Sequence, residues 1–226
     1  AAVYTQDTLV EMTDGKKISY DMLVLATGTF AFTPQMPGLE LPGVFSLRNL
    51  EDAILIKKWL ADHQARQVVI IGGGFIGLEM CEALFAAGIK TTIIHKDPLP
   101  ANRWDAALSS EMLKELQEHS VEFIAEATAL SIEKRNHSKL CVITNSGEYE
   151  GDLVMLAIGV RPNTRLAQSA GLKIGQTGAI AVDFSQKTSI GNIYAAGDCC
   201  ESFHKVSRRW VHLPLGDIAN KQGRVA

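Results

Sequence analysis

The stretch Val68-Val69-Ile70-Ile71-Gly72-Gly73-Gly74-Phe75-Ile76-Gly77-Leu78-Glu79 decides the fold. Four apolar residues run into glycines at 72, 74 and 77, and a helical apolar pattern follows. That order reads as a buried strand, a tight turn and a helix start. Gly72 permits the turn, Gly74 lets the backbone approach a pyrophosphate, and Gly77 lets the helix pack closely on the strand. The helix N-terminus attracts the anion through its free N–H groups and its dipole. A lone GxGxxG carries little weight, but this one has its strand before it and its helix after it. A glycine turn that merely connects strand and helix is the alternative, and the agreement of sequence with context disfavours it. Ile76, Met80, Leu84 and Ala87 give one apolar face to a helix predicted over Phe75 to Ala87, with Gly88 as its αL cap. A second apolar strand, Ile89 to Ile94, completes a βαβ unit.

Working outward, the 226 residues allow one large or two smaller domains. Hydrophobic content of 46% with 21% charged residues describes an ordinary soluble globular protein. The net charge of −3 gives no reason to expect nucleic acid or an anionic membrane as partner. No apolar run is long enough to span a bilayer, and no signal peptide opens the chain. Cys81, Cys141, Cys199 and Cys200 form no CxxC and no metal-site spacing, which fits core residues in a reducing cytoplasm.

On the N-terminal side, Thr13-Asp14-Gly15-Lys16 predicts a hairpin turn, and Asp21 to Gly28 predicts a buried strand ending in small residues. The prolines and glycines between residues 33 and 48 predict a surface linker with a domain boundary near Phe45. A helix with Asn49 as N-cap is expected to run to about His63. Beyond the βαβ unit, a helix from about Asp105 to His119 carries Leu108, Met112 and Leu116 on one face. A strand at Val121 to Ile124 and an antiparallel hairpin, Ala129–Lys134 with Leu140–Thr144, follow. Leu153 to Gly159 predicts a buried strand that echoes Leu23 to Gly28, and Arg161-Pro162-Asn163 marks a second boundary. Then come a short helix near Arg165 to Ala170, a hairpin within Leu172 to Val182, a strand at Ile193 to Ala196 and a helix starting near Leu215.

Dinucleotide specificity is usually set at the end of the second strand, where a carboxylate selects the ribose 2′-hydroxyl and a basic group accommodates a 2′-phosphate. Here His95 and Lys96 stand in that place, with Arg103 a few residues on, which predicts a preference for NADPH; solvated loop charges are the alternative. Asp198 follows an apolar strand and Gly197, so its carboxylate is expected at a strand's carboxyl end, able to accept two hydroxyl hydrogen bonds. A helix N-cap is its alternative role. Glu79, placed in the first helical turn, is expected either near the nicotinamide or simply as a stabiliser of the helix N-terminus.

Taken together, Tyr20 to Gly28, Val69 to Glu79, Ala157 to Asn163 and Ile193 to Asp198 resemble the flavin-dependent pyridine nucleotide–disulfide oxidoreductases, in family order. Leu213 to Arg224 looks like the NADH oxidase and coenzyme A-disulfide reductase branch. The resemblance implies an α/β fold: a Rossmann-like NAD(P)-binding domain with an antiparallel β crossover, residues 46–160, inserted in a partial FAD-binding domain, residues 1–45 and 161–226. It implies that Gly72, Gly73, Gly74, Phe75, Ile76, Gly77, Glu79, His95, Lys96, Arg103 and Gly159 line NADP or NAD, with Phe75 gating the flavin. It implies that Thr27, Gly28, Gly197, Asp198, Pro214 and Leu215 line FAD. Family members also carry a first GxGxxG, a redox cysteine near their start and a C-terminal dimerisation domain, and this sequence has none of the three. The resemblance therefore implies the nucleotide-binding middle of a cytoplasmic, homodimeric enzyme with a small-molecule acceptor. That acceptor is a disulfide such as coenzyme A disulfide, O2 or a peroxide; rubredoxin or ferredoxin reduction, or a non-catalytic NAD(P)-binding module, is the alternative.

Overall fold

The computed structural model describes residues 1–136 and 139–226. They form two compact units, Ala1–Phe30 with Val160–Ala226, and Ala31–Gly159. In chain order, β1 (Ala2–Tyr4), β2 (Leu9–Glu11) and β3 (Lys17–Ser19) make an antiparallel meander, followed by β4 (Leu23–Leu25) and β5 (Thr29–Ala31). The inserted unit runs β6 (Val44–Ser46), α1 (Leu50–Asp62), β7 (Gln67–Ile71), α2 (Phe75–Ala86), β8 (Lys90–Ile94), α3 (Ala106–Glu118) and β9 (Glu122–Ile124). It continues with β10 (Ala129–Lys134), β11 (Leu140–Thr144), β12 (Glu148–Gly151) and β13 (Leu153–Leu156). The chain returns through β14 (Val160–Pro162), which pairs with β5, and then α4 (Arg165–Ser169). It ends in β15 (Ile193–Ala195), β16 (Ser202–His204), β17 (Arg209–Val211) and α5 (Gly216–Val225).

The inserted unit is built on a parallel sheet of order β6-β13-β7-β8-β9. Strand periodicity sends alternate β7 side chains to opposite faces. Val68 and Ile70 pack with Ile56 of α1 and with Cys81 and Leu84 of α2. Val69 and Ile71 pack with Ile132, Leu140 and Val142 of the antiparallel sheet β10-β11-β12. The parallel strands are thus covered on both faces, which is why β7 reads as a continuous apolar run. Helix α1 begins in a capping box: Asn49 Oδ1 accepts from Asp52 N–H at 2.8 Å, and Asp52 Oδ2 accepts from Asn49 N–H at 3.1 Å. Helix α2 ends at Gly88, whose φ of +72° reverses the chain into β8.

Several expectations are corrected. The first boundary lies at Phe30–Ala31, not near Phe45, because Phe45 is inside β6 and pairs with Met155. Residues 33 to 48 are no surface linker. Met36, Leu39 and Leu41 pack into the core under β10, and Pro37 O accepts the Ile132 N–H at 2.9 Å. On α3 Leu116 packs on the helix-side core and Met112 is half-buried, but Leu108 is 56% exposed and Ser109 is buried. Within Leu172 to Val182 the expected hairpin shortens to a single antiparallel bridge, Ile174 with Ile180, with the Gly175 N–H donating to Ala179 O at 2.8 Å and the Ala181 N–H to Lys173 O at 3.0 Å. The β16–β17 hairpin carries no turn signal strong enough to have been expected.

Residues of the first unit meet from opposite ends of the chain. β4 and β15 pair in parallel, Leu23 opposite Ile193 and Leu25 opposite Ala195. Their inner side chains join Val3, Ala167, Leu172, Ile180 and the buried Cys199 and Cys200 in one core. The strand expected to be buried is covered on one face only: Val24 is 47% exposed.

Candidate nucleotide-binding sites

The glycine loop leaves β7 at its carboxyl end, between the carboxyl ends of β13 and β8. Gly72 takes φ +114°, and a Cβ on it would lie 2.4 Å from the Ala157 carbonyl oxygen, so this turn admits only glycine. A Cβ on Gly74 would meet nothing within 4 Å, and Gly74 has no side chain to cap the first-turn N–H groups of α2. Gly159, beyond β13, also faces open space, and its carbonyl accepts the Phe32 N–H at 2.9 Å. A helix N-terminus with uncapped donors beside an open glycine backbone fits a pyrophosphate. Phe75 is 39% exposed, its ring 5.4 Å from that of Trp104, and Ile76 packs inward on the helix-side core.

Two positions differ from expectation. Glu79 is exposed in the second turn of α2, not the first, where its charge is too far along the helix to stabilise the N-terminus. His95 is buried rather than presented at the surface, and its Nδ1 accepts the Gly73 N–H at 3.0 Å. Burial pushes its pKa below the ordinary histidine value, against the pull of Asp97 and with the help of Lys96. Asp97 accepts from Asn102 Nδ2 at 2.5 Å. Lys96 and Arg103 remain exposed on the segment after β8.

In the other unit the paired ends of β4 and β15 bring Thr27, Gly28, Gly197 and Asp198 together. Thr27 Oγ1 donates to Asn163 O at 2.6 Å, and Gly28 O accepts the Asn163 N–H at 2.9 Å. The Gly197 N–H is taken by Gln222 Oε1 at 2.9 Å, which docks α5 and its leading Pro214 and Leu215 beside the same strand ends. Asp198 is half-buried, and its carbonyl accepts from His212 Nε2 at 2.7 Å. No helix begins at Asp198, so the N-cap alternative falls. Sequence reasoning missed Gln222, whose side chain ties this site together, because a glutamine in a polar helix carries no distinguishing pattern.

The family model for pyridine nucleotide-disulphide oxidoreductases matches residues 2–223. The chain belongs to that family. Among curated relatives it is 38% identical over 215 residues to an NAD(P)H sulfur oxidoreductase (CoA-dependent) of Pyrococcus abyssi, covering 94% of this chain and 48% of that protein. It is 35% identical over 193 residues to a rubredoxin-NAD(+) reductase of Ectopseudomonas oleovorans, covering 84% and 49%. The fold superposes on an NAD-dependent persulfide reductase from A. fulgidus with TM-score 0.94 and 36% identity, over 100% of this chain and 42% of that one. The chain spans about half the length of the curated relatives it matches. Among the described residues, no helix is long and apolar enough to cross a membrane.

Proposed function

We propose that residues 31–159 bind a pyridine dinucleotide, and that residues 1–30 with 160–226 contribute part of an FAD site, within a longer oxidoreductase. The observation that carries this reading is the open backbone at Gly74, at the uncapped start of α2 and flanked by the carboxyl ends of three parallel strands. When bound, NAD(P)H supplies the hydride and FAD takes it up. The chain's own residues bind and orient. The α2 N-terminus holds the pyrophosphate, and Lys96 and Arg103 favour a 2′-phosphate and hence NADPH. The Asp198 carboxylate takes flavin hydroxyls, beside Thr27, Gly28 and the start of α5. Phe75, exposed at the same helix start, covers the nicotinamide end.

The acceptor of the whole protein is a small molecule, in line with the sulfur and persulfide substrates in the names of relatives. A cytoplasmic homodimer is the assembly this reading expects. A second reading, nucleotide binding without turnover by this chain alone, is favoured by the cysteines. All four are buried, and Cys199 donates its thiol proton to Leu25 O and Ala196 O, each at 3.3 Å. Burial pushes the Cys81 thiol up to about 11, and although contact with Cys200 draws the Cys199 thiol down to about 6, Cys199 is fully buried and out of reach of a dissolved disulfide.

Purified chain titrated with NADPH, NADH and FAD tests both readings, with NADPH oxidation assayed against coenzyme A disulfide. Micromolar dinucleotide binding with weak FAD retention and no turnover is expected. Failure to bind either dinucleotide would overturn the first reading, and a yellow, active preparation the second.

A further inference from the structure

The sequence places His95 where a dinucleotide's ribose is usually recognised, yet the structure turns its ring inward. The side chain is 9% exposed, packed 5.9 Å from the Phe123 ring of β9. Nδ1 accepts the Gly73 N–H at 3.0 Å, so the imidazole is neutral with its proton on Nε2. Nε2 is buried without a hydrogen-bond partner and lies 3.5 Å from Asp97 Oδ2, too far for a short bond. On its other side, Gly73 O accepts the Ala101 N–H at 2.8 Å. The middle glycine of the loop is therefore clamped from both faces, and a Cβ on it would press on His95 Cγ at 3.1 Å and Phe123 Cε2 at 3.0 Å.

We propose that His95 is a positioning residue: its neutral imidazole holds the Gly73 N–H and so fixes the loop that cradles the dinucleotide pyrophosphate. This rests on the dinucleotide reading above. Protonation would put an N–H on Nδ1 facing the N–H of Gly73, two donors with no acceptor between them. Loop geometry, and with it affinity for any pyridine dinucleotide, then falls as the ring takes up its second proton. Among the described residues, the charged groups acting on the ring are Asp97 and Lys96 on its own segment; β9 meets it with the Phe123 ring and the loop with the Gly73 backbone. Lowering by burial keeps the neutral form at neutral pH.

The test uses the ligand-free chain, the variants H95N and H95L, and NAD+ as probe, because NAD+ carries no 2′-phosphate to titrate in the same range. Asparagine sets an amide oxygen near the Nδ1 position and keeps the acceptor, whereas leucine removes it. At pH 8, H95N should bind NAD+ within about threefold of the native chain and H95L about tenfold more weakly, the cost of an unmade buried bond. Between pH 8 and pH 5 the native affinity should decline, while that of H95N stays level. In the ligand-free native chain, imidazole nitrogen shifts at pH 7 should report a bare Nδ1 and a protonated Nε2. A flat native pH profile, an H95L affinity equal to the native one, or a charged or Nδ1-protonated ring overturns the proposal while leaving dinucleotide binding intact. A native chain that binds no NAD+ at any pH overturns the binding reading and this proposal with it.

Discussion

Gly77 of α2 rests directly on Gly72 of the loop: a Cβ at Gly77 would lie 2.1 Å from the Gly72 carbonyl oxygen. Helix and turn therefore meet backbone to backbone, and the α2 N-terminus is brought down onto the strand ends. Gly77→Ala gains about 1 kcal/mol in helix propensity. It loses more, because the clash is with backbone that cannot rotate away, and overpacking of this kind costs about 1–3 kcal/mol. The variant should melt several degrees lower and bind dinucleotide poorly, as thermal denaturation and calorimetry would report.

Gly74→Val should separate binding from folding. Gly74 has φ −85° and open space where a side chain would go, so the fold loses only the modest advantage of glycine at an N-cap, about 1 kcal/mol or less. The valine occupies the volume the pyrophosphate needs. Unchanged NADPH affinity in a folded variant would mean the nucleotide does not lie over this loop.

Lys96→Ala with Arg103→Ala should weaken NADPH about tenfold or more and leave NADH nearly unaltered, since only the former carries a 2′-phosphate for charge-assisted bonds. The difference between native and variant should shrink with added salt, because both side chains are exposed. Equal losses for the two nucleotides would reduce these residues to solvated loop charges.

Asp152 joins β12 to β13 and accepts the backbone N–H groups of Arg66 at 2.8 Å and Gln67 at 3.0 Å. Burial works to raise its pKa, but those two donors and Lys139 outweigh it and the net shift is downward. A depressed carboxylate contributes stability that is fully present above its unfolded pKa, about 3.9. That contribution is lost as pH falls through the lower, folded value. Asp152→Asn should cost about 2 kcal/mol at pH 7. Melting curves from pH 7 down to pH 3 should show the gap between variant and native chain closing at the acid end.

Gln222→Leu should loosen α5 from the Gly197 turn. The native amide, itself buried, accepts from the half-buried Gly197 N–H at 2.9 Å and donates to Ser202 Oγ at 2.9 Å and Glu201 O at 3.3 Å. Leaving those groups unpaired costs about 1–3 kcal/mol each before relaxation. Hydrogen exchange should quicken at Gly197 and along α5 but not in β7 or β8.

The sequence by itself determined the βαβ unit, the capped helix α1 and the three-stranded crossover sheet. Their signals are local: an apolar run into spaced glycines, Asn49 three residues before Asp52, alternation across a turn at Asn145-Ser146-Gly147. Each is encoded within a few residues by backbone sterics and capping chemistry. Only the tertiary structure decided the rest. β4 and β15 were legible as strands, but their parallel pairing, Leu23 opposite Ile193, joins segments from opposite ends of the chain and no local pattern announces it. The sequence offered His95 with Lys96 as a 2′-phosphate contact; its partner in the fold is the amide of Gly73, supplied by the glycine loop that follows the neighbouring strand. Gln222 acquires its role the same way, from a turn that its own sequence context does not mention. Local pattern reports how a segment folds, whereas the polar partner of a buried side chain is set by which distant backbone groups remain unpaired once the segments pack.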